Sequence, residues 1–201
     1  MSVAELIKKF DVRETVPVDV NDVITEFKDR GIKDEIFFWA VDLNDHHLKG
    51  QLVHIEEWDH PGFEGAPTRT FADIYYAKDM PDDEKRLVAC KELLHILDHP
   101  ACRAATEEEV EKLFSKIGLP PEMQEPFKDG PAVNTDRTAI YQAVAVLFPY
   151  ATRQLLLKPY NDGKINLADI IRMVDLPKKY VASVMHENWE GLHRVLTNGV
   201  L

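Results

Sequence analysis

Hydrophobic and polar positions alternate with two different periods along this chain. Apolar residues three and four positions apart predict a helix over Val20–Arg30, which Gly31 ends. The next segments are rich in aromatic and branched residues and predict three strands, over Glu35–Leu43, Gln51–Trp58 and Arg69–Ala77. We expect the polar residues of Asn44–Gly50 to join the first two strands as a hairpin loop.

From Pro81 onward the spacing predicts helices. The first begins at Pro81 and ends near Asp98, because Pro100 prevents its continuation. A capping-box pattern at Thr106 and Glu109 indicates another helix that ends at Gly118, and the proline-rich segment Leu119–Pro131 is expected to be irregular. The other predicted helices are a long one over about 134–157 with a kink near Pro149, then Asn166–Val174 and Lys178–Val195.

This order of elements predicts an α+β fold with a small three-stranded antiparallel sheet and a mostly helical C-terminal half. We divide the chain into an α+β domain over residues 1–160 and a helical appendage over residues 161–201. The appendage is expected to pack on the domain as one structural unit.

Composition indicates a soluble globular protein, with 45% hydrophobic and 29% charged residues. Two cysteines are too few for a disulfide scaffold, so we expect a reduced, cytoplasmic protein. No run of about 18 apolar residues predicts a membrane span, and the N-terminus lacks the apolar core of a signal peptide.

The net charge of -11 lies in the first two thirds of the chain. Residues 1–135 carry 16 Lys and Arg against 29 Asp and Glu, whereas residues 136–201 carry 8 against 6. An acidic surface repels phosphates, so nucleic acid is not an expected partner of the first part.

The helix predicted from Pro81 carries the best candidates for catalytic or metal-binding residues. At about 100° per residue, a polar stripe is formed by Glu84, Lys91, His95 and Asp98. Apolar residues cover the opposite side, namely Leu87, Cys90, Leu93, Leu94 and Leu97. On pattern alone, such a stripe is most often the solvated face of an amphipathic helix.

The stripe also contains most of a zinc-hydrolase motif. Such a helix presents two histidines one turn apart, with a glutamate after the first as general base for metal-bound water. In Lys91-Glu92-Leu93-Leu94-His95, Glu92 and His95 hold two of these positions, and Lys91 stands in place of the first histidine. A protonated lysine has no lone pair for a metal, so the sequence departs from the motif at a ligand.

These residues resemble the active-site helix of the ImmA/IrrE family of zincin-like metallopeptidases, which often reads H-E-L-G-H-x-L-x-H-P. The residues kept here are Glu92, Leu93, His95, Leu97, His99 and Pro100. A second family segment, A-N-x-F-A-x-x-L-L-M-P, is similar to Ala139–Pro149, which keeps Ala139, Ala143, Leu147 and Pro149. The resemblance covers roughly residues 20 to 195 and implies a zincin-like domain.

By this resemblance, the third metal ligand is a carboxylate just before the second segment. The third-ligand position falls either at Asp136, which is the available carboxylate, or at Thr138. His99 lies at the periphery of the site. Active family members cleave or inactivate helix–turn–helix repressors, often in mobile elements and stress responses. The implied partner is therefore a protein of that type.

Because Lys91 removes a ligand, we expect a pseudo-peptidase that acts as a protein-binding or regulatory module without a cofactor. The Lys91 ammonium would replace the metal by donating to His95 and Asp136. The alternative is a metallopeptidase with an unusual ligand set, in which His95 and Asp136 hold zinc and Glu92 is the general base.

Three further sites remain open on this helix. Glu92 and His95 have the spacing of one half of a di-metal site, and His95 and His99 are one turn apart. Cys90 and His95 could form a nucleophile pair, but Cys90 points about 140° away from His95 on the wheel and is typical of a core residue.

The segments 166–175 and 178–185 have helix–turn–helix spacing. Lys178 and Lys179 open the second helix and suit phosphates, which makes a DNA-associated regulator the second alternative. Apolar positions on both helices favour packing or partner docking instead, at Ile170, Ile171, Val174, Val181, Val184 and Met185.

Overall fold

A computed structural model describes residues 1–43, 49–58, 67–99, 102, 104, 107–117, 119 and 121–198. The fold is α+β, as predicted. Its strands are β1 (Glu35–Val41), β2 (Gly50–Glu57) and β3 (Arg69–Ala77). Its helices are α1 (Val3–Phe10), α2 (Val20–Asp29), α3 (Asp82–Leu94), α4 (Glu107–Ile117), α5 (Pro126–Asp129), α6 (Pro131–Leu147), α7 (Tyr150–Asn161), α8 (Leu167–Val174), α9 (Lys178–Met185) and α10 (Trp189–Asn198).

The three strands form a mixed sheet in the order β1-β3-β2. β2 and β3 are antiparallel, whereas β1 and β3 are parallel, with Glu35 opposite Phe71 and Val41 opposite Ala77. The expected all-antiparallel sheet is therefore wrong, and so is the hairpin between the first two strands. Alternation along a strand specifies its two faces but not its neighbours, and here β3 lies between β1 and β2. Residues 44–48 of the expected hairpin loop lie outside the described residues.

One face of the sheet packs on the helices. Ala72 and Ile74 of β3 are fully buried, and Ile36, Phe38 and Leu52 pack against the same core. The core side of α3 is made by the apolar residues that the helical period predicted, with Leu87, Cys90, Leu93 and Leu94 buried. This packing fixes α3 beneath the sheet.

The C-terminal helices share this core with the sheet domain. Ile170, Val181 and Leu196 belong to the same buried cluster as the sheet residues. A partly buried arginine also joins the two parts, because Arg86 of α3 donates to the backbone oxygen of Val174 at 2.8 Å, at the end of α8. Among the described residues, no helix combines the length and apolar character needed to cross a membrane.

Several helix ends differ from the prediction. The long helix expected over about 134–157 begins earlier, at Pro131, after Gly130 in the left-handed region (φ 97°), and it stops at Leu147. Pro149 separates α6 from α7 because its nitrogen has no proton to donate to the preceding turn.

The expected helix to Asp98 ends as an α-helix at Leu94 and continues as a 3₁₀ turn over His95–Leu97. The expected helix Lys178–Val195 is interrupted between Met185 and Trp189. Part of the expected irregular connector is regular, since it contains α5 and a 3₁₀ turn over Pro121–Met123.

Candidate functional site

Two helices, α3 and α6, face each other and bring the candidate residues together. Lys91, Glu92 and His95 come from α3 and the turn that follows it, and Asp136 comes from α6. The exposed side-chain fractions are 13% for Lys91, 4% for Glu92, 15% for His95 and 13% for Asp136. The expectation of a solvated polar face is thus wrong for this part of the stripe, because α6 covers it.

The Lys91 ammonium lies between two carboxylates. Its Nζ donates to Oε1 of Glu92 at 3.0 Å and to Oδ1 of Asp136. Burial lowers the pKa of Lys91, but the charges of Glu92 and Asp136 outweigh burial and hold that pKa above its ordinary value. Lys91 is therefore a permanent cation at neutral pH.

His95 also lies between two carboxylates, of which Asp136 is shared with Lys91. Its Nδ1 lies 2.6 Å from Oδ2 of Asp98, and its Nε2 lies 3.4 Å from Oδ1 of Asp136. Burial lowers the pKa of His95, but hydrogen bonds to Asp136 and Asp98 exceed that effect and raise it to about 9. Protonated His95 can donate from both ring nitrogens. The expected donation from Lys91 to His95 is therefore wrong, since both groups are cationic and Lys91 pairs with Glu92 instead.

Asp136 is the residue that connects both cations. Burial raises its pKa, yet the hydrogen bond from His95 and the charge of Lys91 together keep that pKa below its ordinary value. Thr138 lies farther along α6 and turns to its own helix, where its hydroxyl donates to the backbone oxygen of Asn134 at 2.9 Å. Of the two residues considered for the third-ligand position, Asp136 is the one in contact with His95.

His99 and Cys90 are the other two residues singled out in this part of the sequence. His99 is exposed beyond the 3₁₀ turn. Cys90 is fully buried on the core side, and burial raises the pKa of its thiol to about 12. A thiol with that pKa is protonated at neutral pH, so Cys90 is a core residue and not a nucleophile.

Gly50 is a structural residue of the site that the sequence analysis did not identify. It opens β2 directly against α3, and a Cβ there would clash with Cγ1 of Val88 and lie 3.0 Å from Cγ of Glu92. The signal in the sequence was a glycine at the start of a predicted strand, which can mark a close backbone approach. Gly50 therefore lets β2 pack against the side of α3 that carries Glu92.

The donor set does not fit a zinc ion. Lys91 directs ammonium protons, not a lone pair, at the carboxylate that would serve as a ligand. The ring nitrogens of His95 lie 2.6 Å from Asp98 and 3.4 Å from Asp136, and the raised pKa of His95 opposes the deprotonation that metal binding requires. Over the described ranges, no set of three or more His, Cys, Asp and Glu side chains is arranged to hold a metal ion. The arrangement is a charge network that joins α3 to α6, and its glutamate is already paired.

The C-terminal lysines lie on a separate surface. Lys178 and Lys179 are exposed in the first turn of α9, and Nζ of Lys179 lies 4.6 Å from the centre of the Tyr180 ring. The apolar side of α9 is buried at Val181 and Val184.

Comparison with protein-family models, curated proteins and solved structures finds no match to this chain.

Proposed function

We propose that the chain is a pseudo-peptidase of the ImmA/IrrE type that acts as a protein-binding or regulatory module. The observation that carries the proposal is the position of Lys91, whose ammonium is buried between Glu92 and Asp136. In an active zincin-like site, these carboxylates would be the general base and a metal ligand. Here a fixed side-chain cation is paired with both.

The network supports a binding role because it keeps the former site folded without a metal. Lys91 and protonated His95 supply two positive charges to Glu92, Asp136 and Asp98. Buried carboxylates without such partners would be costly, so the two cations preserve the packing of α3 on α6. A preorganised surface can bind a partner although the catalytic groups are occupied.

The partner that this proposal implies is a helix–turn–helix repressor in the cytoplasm. The test is coexpression of the chain with a repressor of this type encoded beside it, followed by copurification. We expect the repressor to copurify intact. A repressor that is neither bound nor cut would contradict the proposal.

Cleavage of that repressor would instead support the alternative, a metallopeptidase with an unusual ligand set. In that case Glu92→Gln should abolish cleavage while the far-ultraviolet circular dichroism of the protein stays unchanged. An intact repressor with both wild type and Glu92→Gln is the result expected of a pseudo-peptidase.

A second candidate function, DNA binding through α8 and α9, is favoured only by the exposure of Lys178 and Lys179. Phosphate contacts depend on such cations, so Lys179→Glu should abolish a gel shift if this pair binds DNA. An unchanged gel shift would exclude Lys179 from the interaction.

A further inference from the structure

The face of the sheet opposite α3 is apolar where a polar surface is expected. The apolar side chains that the strand register places on this outer face include Phe37, Trp39, Val53, Ile55, Phe71 and Tyr75. Three of them are more than two fifths exposed: Phe37 at 42%, Trp39 at 47% and Ile55 at 43%. A parallel strand pair such as β1 and β3 is usually covered on both faces, so this surface is typical of an interface.

The aromatic side chains of the outer face are ordered by contacts among themselves. The ring of Phe37 lies 6.3 Å from that of Trp39 and 6.5 Å from that of Phe71, between centroids. The indole Nε1 of Trp39 donates to Oδ1 of Asp73 at 3.0 Å. Trp39 is therefore held in place before any partner arrives.

The outer edge of β1 has no strand partner among the described residues. β1 is the first strand in the sheet order, and the described strand that pairs with it is β3. Within the described part of the chain, no backbone or side-chain group is hydrogen-bonded to the far side of Glu35–Ala40. The strand contains no proline and no lysine, the residues that commonly protect an exposed edge. It can therefore accept another strand.

Charge on the outer face restricts the partner. Among the described strand residues, this face carries three carboxylates, of Glu35, Glu57 and Asp73, against one cation, Arg69. Arg69 is already paired, since its guanidinium lies 2.7 Å from Glu35 and 3.8 Å from Glu57. Aromatic sheet faces can stack nucleic-acid bases, but an excess of carboxylates repels phosphates. The complementary ligand carries lysine or arginine beside apolar side chains.

We propose that β1 and the outer face bind an extended segment of another protein as a fourth strand. Its backbone pairs with the free edge of β1, its apolar side chains lie beside Phe37 and Trp39, and its lysine or arginine residues face Glu35 and Asp73. The free edge of β1 is separated by β3 from β2, whose Gly50 packs against Glu92, so the inference does not depend on the proposed function of the Lys91 site.

The probe is a capped synthetic peptide in which lysine and valine take turns at every second residue, so that both lie on the strand face that continues the outer face, with threonine at the positions between. It is titrated into the full chain by calorimetry at physiological ionic strength. Three control peptides replace lysine by glutamate, replace valine by serine, or carry N-methyl groups on alternate amides. Because recognition requires charge, apolar contact and backbone pairing together, each control peptide is expected to bind at least about tenfold more weakly. Equal binding of the serine or N-methylated peptide would overturn the proposal by reducing it to general attraction to an acidic protein.

The matching protein variants are Phe37→Thr with Trp39→Thr, which keep β-propensity and charge, and Leu155→Gln, which removes a 55% exposed apolar side chain from α7. We expect the paired variant to bind about tenfold more weakly and Leu155→Gln to bind like wild type. Equal loss in both would refute the assignment.

Hydrogen exchange on the wild-type protein gives a readout that does not depend on the variants folding. Amides of β1 should gain protection with the peptide, and protection elsewhere without change at β1 would contradict the proposal. Sedimentation of the free chain tests whether a second copy occupies the edge instead. Dimers that disappear in the variant with Phe37→Thr and Trp39→Thr would show that a second copy pairs there and would overturn the proposal.

Discussion

Replacing Lys91 by methionine removes the cation from the buried network and keeps a side chain of similar length. At 3.0 Å, attraction between the ammonium and Glu92 amounts to about 5.5 kcal/mol at an effective dielectric constant of about 20. Desolvation of both groups offsets much of this, but removing one partner of a buried pair typically costs about 3–5 kcal/mol. His95 still faces Asp136 at 3.4 Å, so the penalty falls chiefly on Glu92.

We therefore expect Lys91→Met to lower the free energy of unfolding by about 3 kcal/mol at pH 7. Within the described residues, Lys91 is the group that donates to Glu92, so the variant leaves this 4% exposed carboxylate unsatisfied. Adding Glu92→Gln to Lys91→Met should restore part of the loss, with an interaction energy of about 2 kcal/mol in the double-mutant cycle. Urea unfolding followed by circular dichroism measures all four proteins.

The matched control is Lys85→Met on the same helix. Lys85 pairs with Asp82 at 3.2 Å, but Asp82 is 96% exposed, so this change should cost less than about 0.5 kcal/mol. A loss of under about 1 kcal/mol for Lys91→Met would contradict the claim that the Lys91 ammonium stabilises the site, and so would a double-mutant cycle without interaction energy.

Two further predictions concern the backbone and the charge of the site. Gly50→Ala should destabilise the protein by about 1–3 kcal/mol because its Cβ would clash with Val88, whereas Gly191→Ala on α10, with open space around it, should be neutral or stabilising in the same urea assay. The raised pKa of His95 predicts a contribution to stability that is complete below pH 6.5 and is lost as pH rises through about 9, up to about 3 kcal/mol. Unfolding free energies measured across this window should decline in wild type and stay flatter in His95→Gln, and parallel curves would contradict a protonated His95.

The strands and α3 could be predicted from sequence because each depends on a local pattern. The predicted bounds of β3 match the structure, and the apolar period of α3 places Leu87 and Leu93 in the core. Strand order could not be predicted in this way, because pairing of β1 with β3 depends on contacts between distant segments. Gly130 with Pro131 shows a local signal that was missed, since proline at a first helical position predicts a start.

The site was predictable to different extents on its two helices. The spacing of Lys91, Glu92 and His95 places them on one helix, but no pattern in the sequence links them to Asp136, which came from the resemblance. The pairing of Lys91 with Glu92 depends on burial by α6, which turns a surface stripe into a closed network. Charge repulsion between two cations then explains why Lys91 does not donate to His95.

The most direct test of the central claim is the zinc content of the protein purified without chelator, measured by elemental mass spectrometry on wild type and on Lys91→His. We expect no zinc in wild type, because a buried ammonium stands in place of a ligand. We expect about one zinc ion per chain in Lys91→His, where the introduced imidazole, His95 and Asp136 would supply three ligands. Near-stoichiometric zinc in the wild-type protein would contradict the pseudo-peptidase and support the metallopeptidase.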